Sequence, residues 1–165
     1  NKINPSREQK RGFAAVNRGA DFTAQEAGKT RAFWFMALGH GTSLLIVGAV
    51  MVHLVLYVNS QLGYSMAVAG LIVSLMTAMQ IVGLTSTGFL GDRIDKRIIV
   101  ITCMGLHAAG MLLLAFAQNI WMVVGFAALH GIAWGTRGPL MQAIRADYFG
   151  TTHFGSIMGL SLIHI

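Results

Sequence analysis

The sequence predicts an all-α membrane protein with about four complete transmembrane helices and the start of a fifth. The 165 residues are 55% hydrophobic and only 11% charged. Soluble domains usually carry about 25% charged residues, so this chain has too few polar side chains to cover a water-soluble globule. Long apolar runs separate its charges, and a run of about 20 residues suffices to span a bilayer. The runs lack the alternating polar pattern of β-barrel strands.

Four apolar runs predict four spanning helices in chain order. The predicted spans cover residues 32–58, 66–90, 98–117 and 120–144, and residues 155–165 begin a fifth, truncated span. The first three spans contain no Asp, Glu, Lys or Arg, whereas the fourth continues through Arg137. Gly131 and Gly135 are four residues apart, and small residues at this spacing let two helices pack closely.

Residues 1–31 form a basic segment ahead of the first span. Near its end, Thr23 precedes Glu26 by three residues, which is the spacing of a capping box. We therefore expect a short amphipathic helix that leads into the membrane.

The charged residues predict the orientation of the chain. All 12 basic and 6 acidic residues lie in residues 1–31, in the connection between the second and third spans, or at the end of the fourth. Alternating spans put these groups on one side, and the positive-inside rule makes that side cytoplasmic. We expect an integral membrane protein, with the N-terminal segment and the loop at residues 91–97 in the cytoplasm.

Composition and motifs also exclude several function classes. The net charge of +6 is confined to short segments, which fits a membrane surface better than nucleic acid. The single cysteine, Cys103, rules out an intrachain disulfide and a cysteine metal cluster. We find no hydrolase, kinase or zinc pattern, so we expect neither an enzyme nor a bound metal or cofactor.

The segment from Gly88 to Arg97, with the sequence GFLGDRIDKR, is the most informative motif. It places a packing glycine, an acid and a basic cluster at the predicted cytoplasmic end of a span. It resembles the signature loop of the major facilitator superfamily, G-x-L-x-D-R-x-G-R/K-R/K. The matching residues are Gly88, Leu90, Asp92, Arg93, Lys96 and Arg97. Asp95 departs from the pattern, because the family prefers glycine there.

The resemblance extends over nearly the whole chain. Residues 21–34 resemble the central cytoplasmic segment that enters the seventh helix of such transporters, and residues 145–159 resemble the connection between the tenth and eleventh helices. Residues 32–165 would then be a transmembrane helical half-domain with helices seven to eleven of a twelve-helix fold. The expected partners are the lipid bilayer and a missing N-terminal six-helix half.

The resemblance implies secondary active transport of a small solute by alternating access. The general style is similar to bacterial monocarboxylate or oxalate/formate porters. The resemblance therefore implies a bacterial inner membrane and an organic anion such as a monocarboxylate as the solute, with proton coupling left open. The signature loop would act as a gate latch. Asp147, at the end of the fourth span, is the available partner for Arg93 or Arg97.

Four residues inside the spans are candidates for solute binding. Arg137 suggests an anion-binding or gating group, although it could instead snorkel to the interface or pair with Asp147. His53 is the preferred one of four histidines that could relay protons, with His40, His107 and His130 as the others. For each of them, a structural hydrogen bond to a neighbouring helix is the alternative. Gln80 and Trp134 are weaker pocket candidates.

Two other functions stay open at this point. One is a four-helix accessory membrane subunit. The other is a bis-histidine membrane haem protein, because His40 and His53 are 13 residues apart on one helix and His107 is expected at a depth similar to that of His40.

Overall fold

The computed structural model describes residues 21–163, and within this range the chain is α-helical with no strand. The predicted all-α fold class is therefore confirmed. The described helices are α1 (Ala24–Gly28), α2 (Arg31–Leu56), α3 (Met66–Arg93), α4 (Lys96–Ala115), α5 (Ile120–Phe149) and α6 (Phe154–Ile163). A π-helical turn, Tyr57–Gln61, extends the end of α2.

Three helices among residues 21–163 are long and apolar enough to cross a membrane. They are Arg31–Gln61, which joins α2 to the π-helical turn, together with α3 and α4. The fourth predicted span lies in α5, which has 30 residues and is about 45 Å long at about 1.5 Å per residue. Because α5 carries Arg137, Arg145 and Asp147, it is less apolar than the other three.

The outward faces of the long helices are apolar. Leu45, Leu71, Ile101 and Trp121 each expose about 70% or more of their surface. In water such a surface would cost roughly 25 cal/mol per Å², whereas lipid chains solvate it. This is the surface of an integral membrane protein.

The described chain divides into two compact units. The first comprises residues 21–44 and 143–163, and its core is an aromatic and aliphatic cluster that contains Ala27, Phe33, Ala37, Phe149 and Ile157. The second comprises residues 45–142 and has two clusters. Its larger cluster contains Leu54, Ile72, Met76, Val123 and Phe126, and its smaller one contains Ile99, Cys103, Ala133 and Leu140.

In the first unit, α1 begins with the predicted capping box. The hydroxyl of Thr23 accepts a hydrogen bond from the backbone N–H of Glu26 at 3.3 Å, and the Glu26 carboxylate accepts one from the backbone N–H of Thr23 at 2.9 Å. The indole N–H of Trp34 then donates to the carbonyl of Gly28 at 2.9 Å. The capped helix leading into α2 is thus confirmed.

In the second unit, α3 and α5 pack with their backbones in close contact. A Cβ atom at Gly131 would collide with the carbonyl of Met76, and one at Gly135 would collide with the carbonyl of Gln80. The hydroxyl of Thr136 donates to the carbonyl of Gly83 at 3.2 Å. The small residues of α5 therefore serve helix packing, as their spacing predicts.

Candidate functional site

The signature segment, Gly88–Arg97, is more helical than the sequence predicts. Helix α3 continues to Arg93 and α4 begins at Lys96, so only Ile94 and Asp95 connect the two helices. The prediction of a loop at residues 91–97 is wrong for most of its length. Charged residues end an apolar run without ending a helix, because their backbone hydrogen bonds continue the α-helical pattern.

Asp95, the residue that departs from the family pattern, is the N-cap of α4. One oxygen of its carboxylate accepts a hydrogen bond from the backbone N–H of Arg97 at 2.8 Å. Its carbonyl accepts from the backbone N–H groups of Ile98 and Ile99 at 3.0 and 3.2 Å. Aspartate is among the best N-cap residues and glycine an acceptable one. The substitution therefore changes how the turn is capped and still allows the turn itself.

Arg93 is positioned by the helix that it ends. Its guanidinium carbon lies 3.8 Å from the centroid of the Phe89 ring, one turn earlier on α3. Contacts of this cation–π kind contribute about 0.5–1 kcal/mol at exposed sites. Asp92 and Arg93 are both exposed. Asp147 belongs to the other compact unit, and its pairing with Arg93 or Arg97 stays a prediction.

Two solute-binding candidates line the same cavity. Gln80 on α3 and Trp134 on α5 face a space of about 310 Å³, which is also lined by Ile81, Leu84, Gly135, Gly138 and Pro139. Ligand pockets usually enclose about 300–1,000 Å³. Pro139 has no N–H, so the carbonyl of Gly135 lacks its usual intrahelical donor. The cavity wall thus combines an indole ring, an amide and one backbone acceptor.

His53 lies in a second cavity, which α2 and α4 form. This space of about 270 Å³ is also lined by Ala49, Val50, Leu54, Tyr57, Met111, Leu114 and Ala115. Two polar side chains stand in the otherwise apolar wall of this cavity, Tyr57 and His53. The hydroxyl of Tyr57 donates to the carbonyl of Leu114 at 3.0 Å. The structure therefore does not bring His53 to Gln80 and Trp134.

Arg137 is buried inside the second unit with only 2% of its surface exposed. The side chain does not snorkel to the surface of the described chain. It lies close enough to interact electrostatically with Cys103, His107 and His130. Among residues 21–163 its Nε atom has no hydrogen-bond partner, while the residue as a whole does have a further interaction. A positive charge is therefore held within the packed helices.

The sequence reasoning missed a direct contact between two histidines. The Nδ1 atoms of His107 on α4 and His130 on α5 are 3.0 Å apart, and the two residues are 6% and 0% exposed. The ring of Phe126 lies 5.1 Å from that of His130. A signal did exist: His107 lies eight residues before the end of α4 and His130 ten residues after the start of α5. Two antiparallel helices with a short connection bring such positions to a similar depth.

The histidine contact bears on one part of the haem hypothesis. That hypothesis matched His107 with His40 by depth, and the structure joins His107 to His130 through their Nδ1 atoms. An iron atom therefore does not fit between these two nitrogens, and ligation of a haem by His40 and His53 stays a hypothesis. Across residues 21–163, no group of three or more His, Cys, Asp or Glu side chains could hold a metal ion.

Arg145 is a second buried arginine, which the sequence reasoning placed among the cytoplasmic charges. It is 2% exposed, and its guanidinium lies 3.1 Å from the sulfur of Met158 on α6. Both residues belong to the first unit. Charge counting alone did not reveal this burial.

Comparisons with known proteins give one match. Residues 36–164, more than three quarters of the chain, match the family model described as Major Facilitator Superfamily. No curated protein and no solved structure matches the chain.

Proposed function

We propose a transport function from one premise: the chain belongs to the major facilitator superfamily, a family of membrane transporters. In this proposal the chain is part of a secondary active transporter that moves a small organic anion, such as a monocarboxylate, by alternating access. It supplies the C-terminal half and works with an N-terminal six-helix half in a bacterial inner membrane. Its own N-terminal segment faces the cytoplasm.

The observation that carries the choice of an anion is the buried charge of Arg137. Its side chain is 2% exposed, and it is the one Asp, Glu, Lys or Arg residue in the predicted spans. A charge in a region of low dielectric acts strongly on a nearby ion. An anionic solute would compensate this charge, whereas a cation would be repelled.

The cavity between α3 and α5 supports a place for the solute. Trp134 lines this cavity and lies three residues before Arg137, and residues at this spacing are neighbours on a helix surface. The indole of Trp134 offers an apolar face for a carbon chain, and the amide of Gln80 offers hydrogen bonds. Arg137 supplies the charge from one turn further along α5.

His53 is proposed to act elsewhere on the path of the solute. It lines the α2–α4 cavity, separately from Gln80 and Trp134. Its imidazole can donate or accept a hydrogen bond in that apolar space. A solute that crosses this cavity would find one polar group there.

The signature segment is proposed to act as the gate latch. In alternating access the two halves rock against each other, so contacts at their charged ends form in one state and break in the other. Arg93 and Arg97 would pair with Asp147 in one of these states. The cap that Asp95 provides fixes the start of α4, on which Arg97 lies.

The test is uptake by the complete transporter in proteoliposomes. Radiolabelled L-lactate, formate and oxalate are the probes, and Arg137→Ala is compared with Arg137→Lys at matched protein amounts. Loss of a hydrogen bond to a charged group costs about 1.5–3 kcal/mol, so we expect Arg137→Ala to weaken anion affinity roughly 10- to 150-fold. Arg137→Lys should retain part of it.

Two results would contradict the proposal. One is a wild-type transporter that takes up none of the three anions. The other is an Arg137→Ala variant with wild-type uptake, which would remove Arg137 from the solute site. Gln80→Ala is a second variant for the same uptake test. It removes the amide that lines the cavity between α3 and α5 and leaves every charged side chain in place.

A further inference from the structure

The hydrogen bond between His107 and His130 restricts where their protons lie. At 3.0 Å the two Nδ1 atoms form a hydrogen bond, which needs an N–H on one ring and a lone pair on the other. Each neutral imidazole carries one N–H. The donor ring therefore has a bare Nε2, and the acceptor ring has its N–H at Nε2.

The bare Nε2 is a place for one further proton. Among residues 21–163, neither Nε2 atom of the two rings has a hydrogen-bond partner. A proton added to the bare Nε2 turns the donor ring into an imidazolium, and its Nδ1–H bond to the other ring becomes charge-assisted and stronger. A second proton would have to take the lone pair used in that bond. The pair therefore has a place for one added proton and not for two.

Titratable and charged groups lie near the pair on its own helices, and others on α2 line a cavity one turn further along α4. Arg137 on α5 interacts electrostatically with both rings, and Cys103 lies one turn before His107 on α4. From α2, His53 and Tyr57 line a cavity together with Met111, one turn beyond His107. Residues 66–90 of α3 contain no titratable side chain.

The groups named here include the fixed positive charge of Arg137. The charge of Arg137 opposes a second positive charge on the histidine pair. An anion bound near Arg137 would offset this opposition and favour the proton. By linkage, the proton would favour the anion by the same factor, and such couplings typically amount to about 5- to 150-fold.

We infer that His107 and His130 form a single proton-binding site between α4 and α5, whose occupancy is coupled to anion binding near Arg137. The proton site follows from the geometry of the two rings. Its coupling rests on the proposed function, because it requires an anionic solute. A transporter with this site would move an anion together with a proton.

The proton site is tested first, by nitrogen NMR of the complete transporter labelled with ¹⁵N-histidine in lipid nanodiscs. His107→Gln and His130→Gln assign the two rings, and glutamine preserves a donor and an acceptor in each place. We expect the signals of both rings to move together as the pH falls from 8 to 4. Rings that titrate independently, or that both stay neutral over this whole range, would overturn the site.

Coupling is tested in the same samples with L-lactate as the probe. Lactate should tighten proton binding by at least about fivefold, seen as a joint transition at higher pH. A joint transition that lactate does not move would overturn the coupling.

Transport assays then distinguish a failure of the coupled proton site from a failure of the proposed function. Exchange of internal for external L-lactate needs no net proton movement, whereas net uptake driven by an inward proton gradient does. We expect His107→Gln and His130→Gln to keep lactate exchange. The stimulation of their lactate uptake by the proton gradient should fall at least about tenfold, after the uptake of protein-free liposomes is subtracted. His153→Gln, the same change at an exposed histidine outside the spans, should keep both activities.

The outcomes point to different failures. Full gradient stimulation in both His107→Gln and His130→Gln would overturn the coupled proton site. A wild-type transporter without lactate exchange would instead count against the proposed function and the coupling, while the NMR titration would still decide the proton site.

Discussion

The carboxylate of Asp21 accepts a 2.5 Å hydrogen bond from the hydroxyl of Thr152, which ties the residues before α1 to the connection between α5 and α6. Beside this bond, the backbone N–H of Phe22 donates to the carbonyl of Phe149 at 3.0 Å. Gly150 has a φ of +81°, and a Cβ atom there would collide with the Asp21 carboxylate. The entry to α1 is therefore held against the end of α5 by both backbone and side-chain contacts.

Removing the Thr152 hydroxyl should loosen α1. In Thr152→Val the Asp21 carboxylate loses its side-chain donor, so the segment from Phe22 to Thr30 should open more often. Hydrogen exchange of its backbone amides in the complete transporter measures this opening. Thr151→Val is the matched control, because it removes the neighbouring hydroxyl and leaves the bond to Thr152 in place. Equal exchange in the two variants would contradict the prediction.

Acidification should release the same contact. The hydrogen bond from Thr152 lowers the pKa of Asp21 below its usual value, and the backbone N–H of Thr23 likewise lowers the pKa of Glu26. A depressed carboxyl pKa stabilises the docked segment fully above the unfolded-state values, about 3.9 for Asp and 4.3 for Glu. This stabilisation is lost as the pH falls below them through the folded-state values.

The pH effect is measured by hydrogen exchange of the backbone amides from Phe22 to Thr30 at stepped pH, with each rate divided by the intrinsic exchange rate at that pH. Opening of the segment should rise only below those pKa values. Asp21→Asn should open more often than the wild type already at neutral pH, because the contribution of the Asp21 carboxylate is absent. A wild-type profile that is unchanged by Asp21→Asn would show that Glu26 alone is responsible.

Local features of this fold were predictable, whereas pairings between helices were not. The capping box at Thr23 depends on neighbouring residues, so its spacing sufficed. The contact of His107 with His130 depends on how α4 and α5 rotate and shift against each other, which no pattern within one helix records. Gln80 and Trp134 were identified singly, and they share a cavity because Gly135 lets α5 approach the backbone of α3.

The N-cap role of Asp95 predicts an ordered series of substitutions. Asp95→Ala removes the acceptor for the Arg97 N–H and should cost about 0.5–2 kcal/mol, whereas Asp95→Gly, the residue of the family pattern, should cost only a few tenths. Asp95→Asn keeps a capping oxygen and should lie near the wild type. Thermal unfolding of the complete transporter in detergent ranks the three variants. If Asp95→Ala and Asp95→Gly had the same unfolding temperature, N-capping would not explain the effect of substitutions at Asp95.

The gate latch predicts a charge-pair rescue. If Arg93 pairs with Asp147 in one transport state, Arg93→Asp and Asp147→Arg should each reduce L-lactate uptake, and the doubly reversed protein should recover part of it. A double-mutant cycle isolates the pair term. Arg97→Asp combined with Asp147→Arg tests the alternative partner. If the losses of L-lactate uptake are strictly additive in both combinations, Asp147 pairs with neither arginine and is not part of the latch.

The contact between α3 and α5 predicts opposite effects for two glycines on the same helix. A Cβ atom at Gly83 would collide with the carbonyl of Ile132 and lie 3.0 Å from the backbone nitrogen of Thr136, whereas one at Gly70 would meet nothing within 4 Å. Gly83→Ala must therefore push the helices apart, and overpacking of this kind costs about 1–3 kcal/mol. Gly70→Ala adds helix propensity without a clash, so it should leave the unfolding temperature unchanged or raise it. Because both variants make the same chemical change in α3, a similar unfolding temperature for the two would mean that the backbones are not in contact at Gly83.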